Sequence, residues 1–258
     1  DAVEFDLRVS RDGTLVVMHD ETLDRTTNGS GPVALRTVTE LKGLDAGAMF
    51  TTDGGRTFPW RGRGVRVPTF DEVIESLPRE LPCIVELKTP AATELLRAAV
   101  RRHDIAHRVI VAGFDPAATR PLRGAGFALG ACTPDVVGLV LPALLRRRIA
   151  AQPFQALCIP PRWNRVPVPI AALARALRGS GTVIHVWTVN DAAQGLALEH
   201  RIAAAPVVLG KGCVVRVLAG QQAMRERPVN QHANPVPRGV GQDRALDQQA
   251  VQIFVDRT

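Results

Sequence analysis

The feature that most narrows the fold of this chain is an alternation of two kinds of segment. Short apolar runs lie at 2–9, 83–87, 109–112, 127–131, 154–159 and 182–187. Between them come stretches with helical spacing of apolar residues, among them 91–102, 116–123, 135–148, 170–177 and 192–198. Strand, helix, strand at this spacing predicts a parallel sheet covered by helices. The run Cys83-Ile84-Val85-Glu86-Leu87 is almost continuously apolar, as a parallel strand buried on both faces requires. A seventh run at 206–209 brings the count close to a (β/α) barrel, which takes about 250 residues; the chain has 258. A doubly wound open sheet is the alternative. No G-x-G-x-x-G follows a strand and no P-loop is present, so nucleotide-binding versions of that sheet lose support.

Residues 10–67 interrupt the alternation. Arg11-Asp12-Gly13 is a turn signal, and 14–18 reads as a returning strand, which makes a hairpin. Gly- and Thr-rich turns follow, then a short helix opening at Thr37, then a Gly/Arg-rich loop at 51–66. This region predicts a small insertion after the first visible strand, lying over one end of the barrel. The barrel is expected to span 1–210. From about Gln221 the sequence is rich in Arg, Gln, Asn and Pro, and 211–258 as a whole is expected to be an atypical, poorly ordered tail.

The net charge is +7, with the excess carried by scattered arginines. The densest run, Arg146-Arg147-Arg148, ends an apolar helical stretch, where basic residues suit the helix terminus. No nucleic-acid partner is expected. The longest apolar run, 136–145, is too short to span a membrane and contains Pro142. No signal-peptide pattern is visible, and a cytoplasmic chain is the expectation, although an upstream leader would escape notice. The four cysteines form no C-x-x-C; Cys83, Cys132 and Cys158 fall in predicted buried strands and are expected to be free. Oligomeric state is not legible.

Several acids stand where a core strand should be apolar. Glu4 and Asp6 are two apart on the first strand and share a face. Burying two like charges is costly unless a cation neutralises them, and oxygen ligands suit Mg²⁺ and Ca²⁺. A solvated edge strand would explain the two acids equally well. Glu86 ends another buried strand, with Lys88 two residues on; together they could be a structural ion pair, or a third ligand beside an anion-binding ammonium. A cation and a lysine both neutralise charge building on a phosphate ester. His19 ends the returning arm of the hairpin. It can serve as a general acid or base, or simply bond to the backbone of the turn.

In sequence order these residues resemble the glycerophosphodiester phosphodiesterase family. The blocks are Val3-Glu4-Phe5-Asp6-Leu7, the run from Asp12 to Asp20 (DGTLVVMHD), and Leu23-Asp24-Arg25-Thr26-Thr27. Val67 to Val73 (VPTFDEV), Glu86-Leu87-Lys88 and Trp187-Thr188-Val189-Asn190 continue the likeness, which covers roughly residues 1 to 198. The resemblance implies a (β/α)₈ TIM-type barrel, here lacking its first strand, with the insertion found above. It implies Ca²⁺ or Mg²⁺ held by Glu4, Asp6 and Glu86. His19 would be one of two catalytic histidines, Lys88 a phosphate contact, and Trp187 a wall of the glycerol pocket. The implied reaction converts a small-molecule glycerophosphodiester to glycerol 3-phosphate and an alcohol.

The family's His-Arg-Gly and Pro-Glu-Asn motifs do not occur in this chain. Their absence predicts a chain beginning after the first strand, an open seam in the barrel and an incomplete histidine pair. His103, His107, His185, His200 and His232 offer no obvious replacement. After residue 198 the text departs abruptly from the family, which predicts an unusual tail or a shifted reading frame. An inactive chain of the same fold and a sphingomyelinase D-like lyase therefore stay open beside hydrolysis. A basic nucleic-acid-binding protein is a more distant alternative.

Overall fold

A computed structural model describes residues 2–187, together with the backbone of two further strands, Val207–Lys211 and Val214–Leu218. The strands are β1 (Ala2–Val9), β2 (Leu15–Val17), β3 (Cys83–Leu87), β4 (Val109–Ala112), β5 (Ala128–Leu129), β6 (Ala156–Ile159), β7 (Arg162–Trp163), β8 (Val166–Pro167), β9 (Val183–Val186), β10 (Val207–Lys211) and β11 (Val214–Leu218). The α-helices are α1 (Val38–Lys42), α2 (Phe70–Ser76), α3 (Thr93–Arg102), α4 (Pro116–Thr119), α5 (Thr133–Leu144) and α6 (Ile170–Ala176).

The main sheet runs β5-β4-β3-β1-β11-β10-β9-β6. Its two ends meet at one parallel bridge, Gly130 to Ala156, where Ala131 N donates to Ala156 O at 2.8 Å and Gln155 N to Leu129 O at 2.8 Å. The predicted α/β barrel is therefore present, joined at that point by a single bridge rather than a ladder. The expected open seam beside β1 is not found. There β11 lies antiparallel to both β1 and β10, pairing Ala2 with Val215 and Val3 with Val214 at the start of β1. A segment expected in the poorly ordered tail thus supplies a strand.

Side chains divide by strand periodicity. Phe5, Leu7, Cys83, Val85, Leu87, Val109, Val111, Leu129, Leu157, Ile159, Ile184 and Val186 face the helices and form the main core. The opposite face of the same strands lines the barrel interior, where Ala2, Ile84 and Ala112 are buried with Ile110 and Cys158 against them. Strands β4 and β5 approach closely at their ends: a Cβ on Gly130 would lie 3.2 Å from both Cα and Cβ of Ala112. A separate core of Val16, Met18, Leu23, Val33, Leu41, Ala46, Val65 and Val67 holds the insertion together. Thr37 opens α1 and Thr69 opens α2, each in a reciprocal capping box, with Glu40 and Glu72 respectively.

Three local expectations shift. Cys132 is not in a strand; it caps α5, its thiol bonded to Asp135 at 3.0 Å. The strand predicted at 127–131 contracts to two residues between Gly126, at φ 92°, and the bridging Gly130. Helix α5 stops at Leu144 rather than at 148, after Pro142 and before Arg146, which takes φ 57°. The hairpin β7–β8 was not anticipated; its tip residues Asn164 and Arg165 both have positive φ, as a tight primed turn demands. Residues 192–198, His200 and His232 lie outside the described residues.

Candidate active site

The inward positions of β1 are Ala2, Glu4, Asp6 and, at its end, Arg8; those of β3 are Ile84 and Glu86, with Lys88 just beyond. The two strands pair in parallel with Asp6 opposite Glu86. This register gathers Glu4, Asp6 and Glu86 so that one oxygen from each lies within 4.8 Å of the others. The Lys88 ammonium sits between two of them, 3.0 Å from Asp6 Oδ1 and 2.6 Å from Glu86 Oε1. Burial pushes the Glu86 carboxyl above the usual carboxylate range, more strongly than Lys88 draws it down. Burial alone would lower Lys88, but Asp6 and Glu86 outweigh it and the ammonium is held above its ordinary value.

The hairpin carries His19 to this place. Leu7 pairs with Val17 and Arg8 with Val16, and Met18 N then donates to Asp6 O at 3.0 Å. His19 follows directly, so a backbone bond to a site carboxylate's own residue fixes where the imidazole begins. Its Nδ1 lies 2.7 Å from Asp20 Oδ1. Asp20 is gripped in turn by Arg25, Nε to Oδ2 at 2.6 Å and Nη2 to Oδ1 at 2.9 Å. Arg25 first, and His19 with it, hold the Asp20 carboxyl far below its ordinary value. An ionised carboxylate only accepts, so Nδ1 carries the hydrogen and Nε2 is the nitrogen that can exchange a proton.

Four of the residues singled out in the sequence, Glu4, Asp6, Glu86 and Lys88, are thus brought together, and His19 stands above them. Trp187 follows β9 and continues the inward alternation of Val183 and His185. It belongs to a different wall, where its ring meets Phe114 edge-on at 5.7 Å. Trp163 of the β7–β8 hairpin also packs against Phe114, tilted, at 5.6 Å. Thr188, Val189 and Asn190 lie outside the described residues. His103 caps α3 and bonds Asp71 at 2.7 Å, which accounts for it structurally.

Sequence reasoning passed over Arg8 and Phe114. Arg8 donates from Nε to the His19 carbonyl at 3.0 Å; burial holds its guanidinium below its ordinary value, although Glu21, Asp20, Asp6 and Glu86 all favour its charge. Its signal was available: Glu4, Asp6 and Arg8 are one alternating row. Phe114 is likewise two residues past Ala112 in an inward row, but it lies beyond the strand that a pattern search marks.

The donor set consists of three carboxylates against one ammonium between them, with Arg8 further out. Such a cluster has a surplus of negative charge and the hard oxygen donors that Mg²⁺ and Ca²⁺ take.

The sequence model of the glycerophosphoryl diester phosphodiesterase family matches residues 1–133. The glycerophosphodiester phosphodiesterase of Caldanaerobacter subterraneus subsp. tengcongensis is 32% identical over 196 residues, covering 74% of this chain and 74% of its own. Among solved structures, the glycerophosphoryl diester phosphodiesterase domain of an uncharacterized Mycobacterium tuberculosis protein aligns with a TM-score of 0.69 at 20% identity, over 82% of this chain and 85% of that one. An Oleispira antarctica phosphodiesterase, solved in complex with the product sn-glycerol-3-phosphate, aligns with a TM-score of 0.59 at 22% identity, over 82% and 80%. At those identities the two structures establish the barrel fold, and the sequence matches establish kinship: the chain belongs to the glycerophosphoryl diester phosphodiesterase family and is a phosphodiester hydrolase.

Proposed function

We propose that this chain hydrolyses a small glycerophosphodiester to glycerol 3-phosphate and an alcohol, using a divalent cation, Ca²⁺ or Mg²⁺, held by Glu4, Asp6 and Glu86. The observation that carries the reading is the convergence of those three carboxylates, within 4.8 Å, on one wall of the barrel, with His19 near enough to act on Glu86. When bound, such a cation neutralises charge on the phosphoryl oxygens. The other contributions come from the chain itself. Lys88 supplies a second positive charge, fixed by its strand-end position, for the phosphate monoanion. His19 Nε2 exchanges the proton that hydrolysis must move between the attacking oxygen and the departing alkoxide. Asp20 and Arg25 keep the ring in the tautomer and orientation this needs. Trp187 and Phe114 offer an apolar surface for the carbon skeleton of the glycerol.

The test is release of glycerol 3-phosphate from glycerophosphocholine by this chain, with Ca²⁺ or Mg²⁺ and with chelator. Release that needs the cation and disappears in His19→Ala supports the reading. A cyclic phosphate product instead would make the chain a lyase. The second reading, a binding protein without turnover, draws on one observation: among the described residues His19 is the histidine beside the carboxylates. Cation binding with no product of either kind would favour it.

A further inference from the structure

Helix α5 departs from the pattern of the other long helix. In α3 the outward positions carry Glu94, Arg101 and Arg102, as a surface helix should. In α5 the inner side is apolar, with Leu139 and Ala143 buried, and the outer side is apolar too. Val137, Leu141, Leu144 and Leu145 are 64%, 64%, 55% and 58% exposed. They recur at i, i+4, i+7 and i+8, which places them in one stripe along the helix. A helix that is apolar all round normally has both sides covered.

Charge identifies the cover. The stripe ends at Arg146, Arg147 and Arg148, all exposed, and no acid pairs with them among the described residues. Arg146 is held at φ 57°, a conformation usually left to glycine or asparagine, which ends the helix directly after the two leucines. The helix's one acid, Asp135, is already bound by Arg120 and Arg123, each at 3.1 Å. A second copy packed stripe on stripe would set this triple arginine against its counterpart, or, antiparallel, against the positive N-terminal end of the facing helix. Both arrangements are repulsive. A nucleic acid would leave the leucines uncovered. A bilayer with anionic headgroups satisfies both halves: acyl chains for the stripe and phosphates for the guanidinium groups.

We propose that the outer face of α5 and Arg146–Arg148 form a docking surface for an anionic lipid bilayer. The inference does not depend on turnover. It is consistent with the chemistry of the proposed substrate, since a glycerophosphodiester is what remains when both acyl esters of a membrane phospholipid are hydrolysed.

The experiment is co-sedimentation of the full chain with vesicles of phosphatidylcholine, with and without phosphatidylglycerol. Binding is expected on the anionic vesicles and is expected to weaken as salt is raised. Replacing the three arginines by glutamine should weaken it on the order of a hundredfold. Leu141→Ser should weaken it about tenfold, with the thermal midpoint and circular dichroism unchanged. Equal binding to neutral vesicles, no binding to either, or full binding by both variants would overturn the proposal. So would a sedimentation-velocity dimer, abolished by Leu141→Ser, in a chain that ignores vesicles.

Discussion

Two walls of the same barrel interior handle polar side chains in opposite ways. On the β1–β3 wall, Glu4, Asp6 and Glu86 are gathered within 4.8 Å, with the Lys88 ammonium bridging Asp6 and Glu86. On the β6–β9 wall, Cys158 and His185 face each other in register and stay neutral. Burial, and then the charges of Glu86 and Glu4, push the Cys158 thiol up to about 12. Burial alone pushes His185 down to about 4, and neither ring nitrogen has a hydrogen-bond partner among the described residues. The interior is therefore not uniformly hospitable to charge. It admits charge where strand register provides counter-charges, and suppresses it a few strands away. Under the proposed function the first wall would hold a cation and an anionic ester, whereas Cys158 and His185 on the second are neutral packing.

The largest effect is expected at His19. Its replacement by alanine should lower turnover by about 10²–10⁴-fold, with cation affinity unchanged in calorimetry. A variant that loses cation binding as well would move His19 from proton transfer into the ligand set.

Lys88→Ala should come next. It leaves buried carboxylates without their ammonium, and should cost about 3 kcal/mol in urea unfolding without divalent cation. Added Ca²⁺ should recover much of that loss. A loss that cation does not restore would mean that Lys88 is structural and the carboxylates hold no ion.

The neutral wall makes a pH prediction. The His185 pKa is lower folded, about 4, than unfolded, about 6.5. The unfolded chain therefore binds the proton first, and this residue's contribution to stability is lost as pH falls from about 6.5 toward 4, by up to about 3 kcal/mol. His185→Phe should flatten that part of the stability profile. An unchanged slope would show that the imidazole is not held neutral.

Much of the first wall was legible in the sequence, because strand periodicity is local. Glu4 and Asp6 two apart, and Glu86 and Lys88 two apart, fix a shared face before any tertiary contact is known. The parallel register that sets Asp6 opposite Glu86 is not local, and it required the structure. Strands β3 and β4 matched their apolar runs because they are largely buried on both faces, and β1 because its outward row is apolar. Strand β5 did not, because two glycines and a close approach to Ala112 decide its length. The antiparallel β11 was illegible for a similar reason: nothing in Val214–Leu218 states which sheet edge awaits it. The aromatic meeting of Phe114, Trp163 and Trp187 joins three separate loops and strand ends, and no sequence spacing encodes it.

The most direct test of the account is calorimetric titration of Ca²⁺ and of Mg²⁺ into the wild-type chain, Glu86→Ala and His185→Phe. The account predicts binding to the wild type, equal binding to His185→Phe, and a loss of more than about a hundredfold in Glu86→Ala, since the ligand itself is removed. Equal affinity in wild type and Glu86→Ala would contradict it, because the carboxylate wall would then hold no cation.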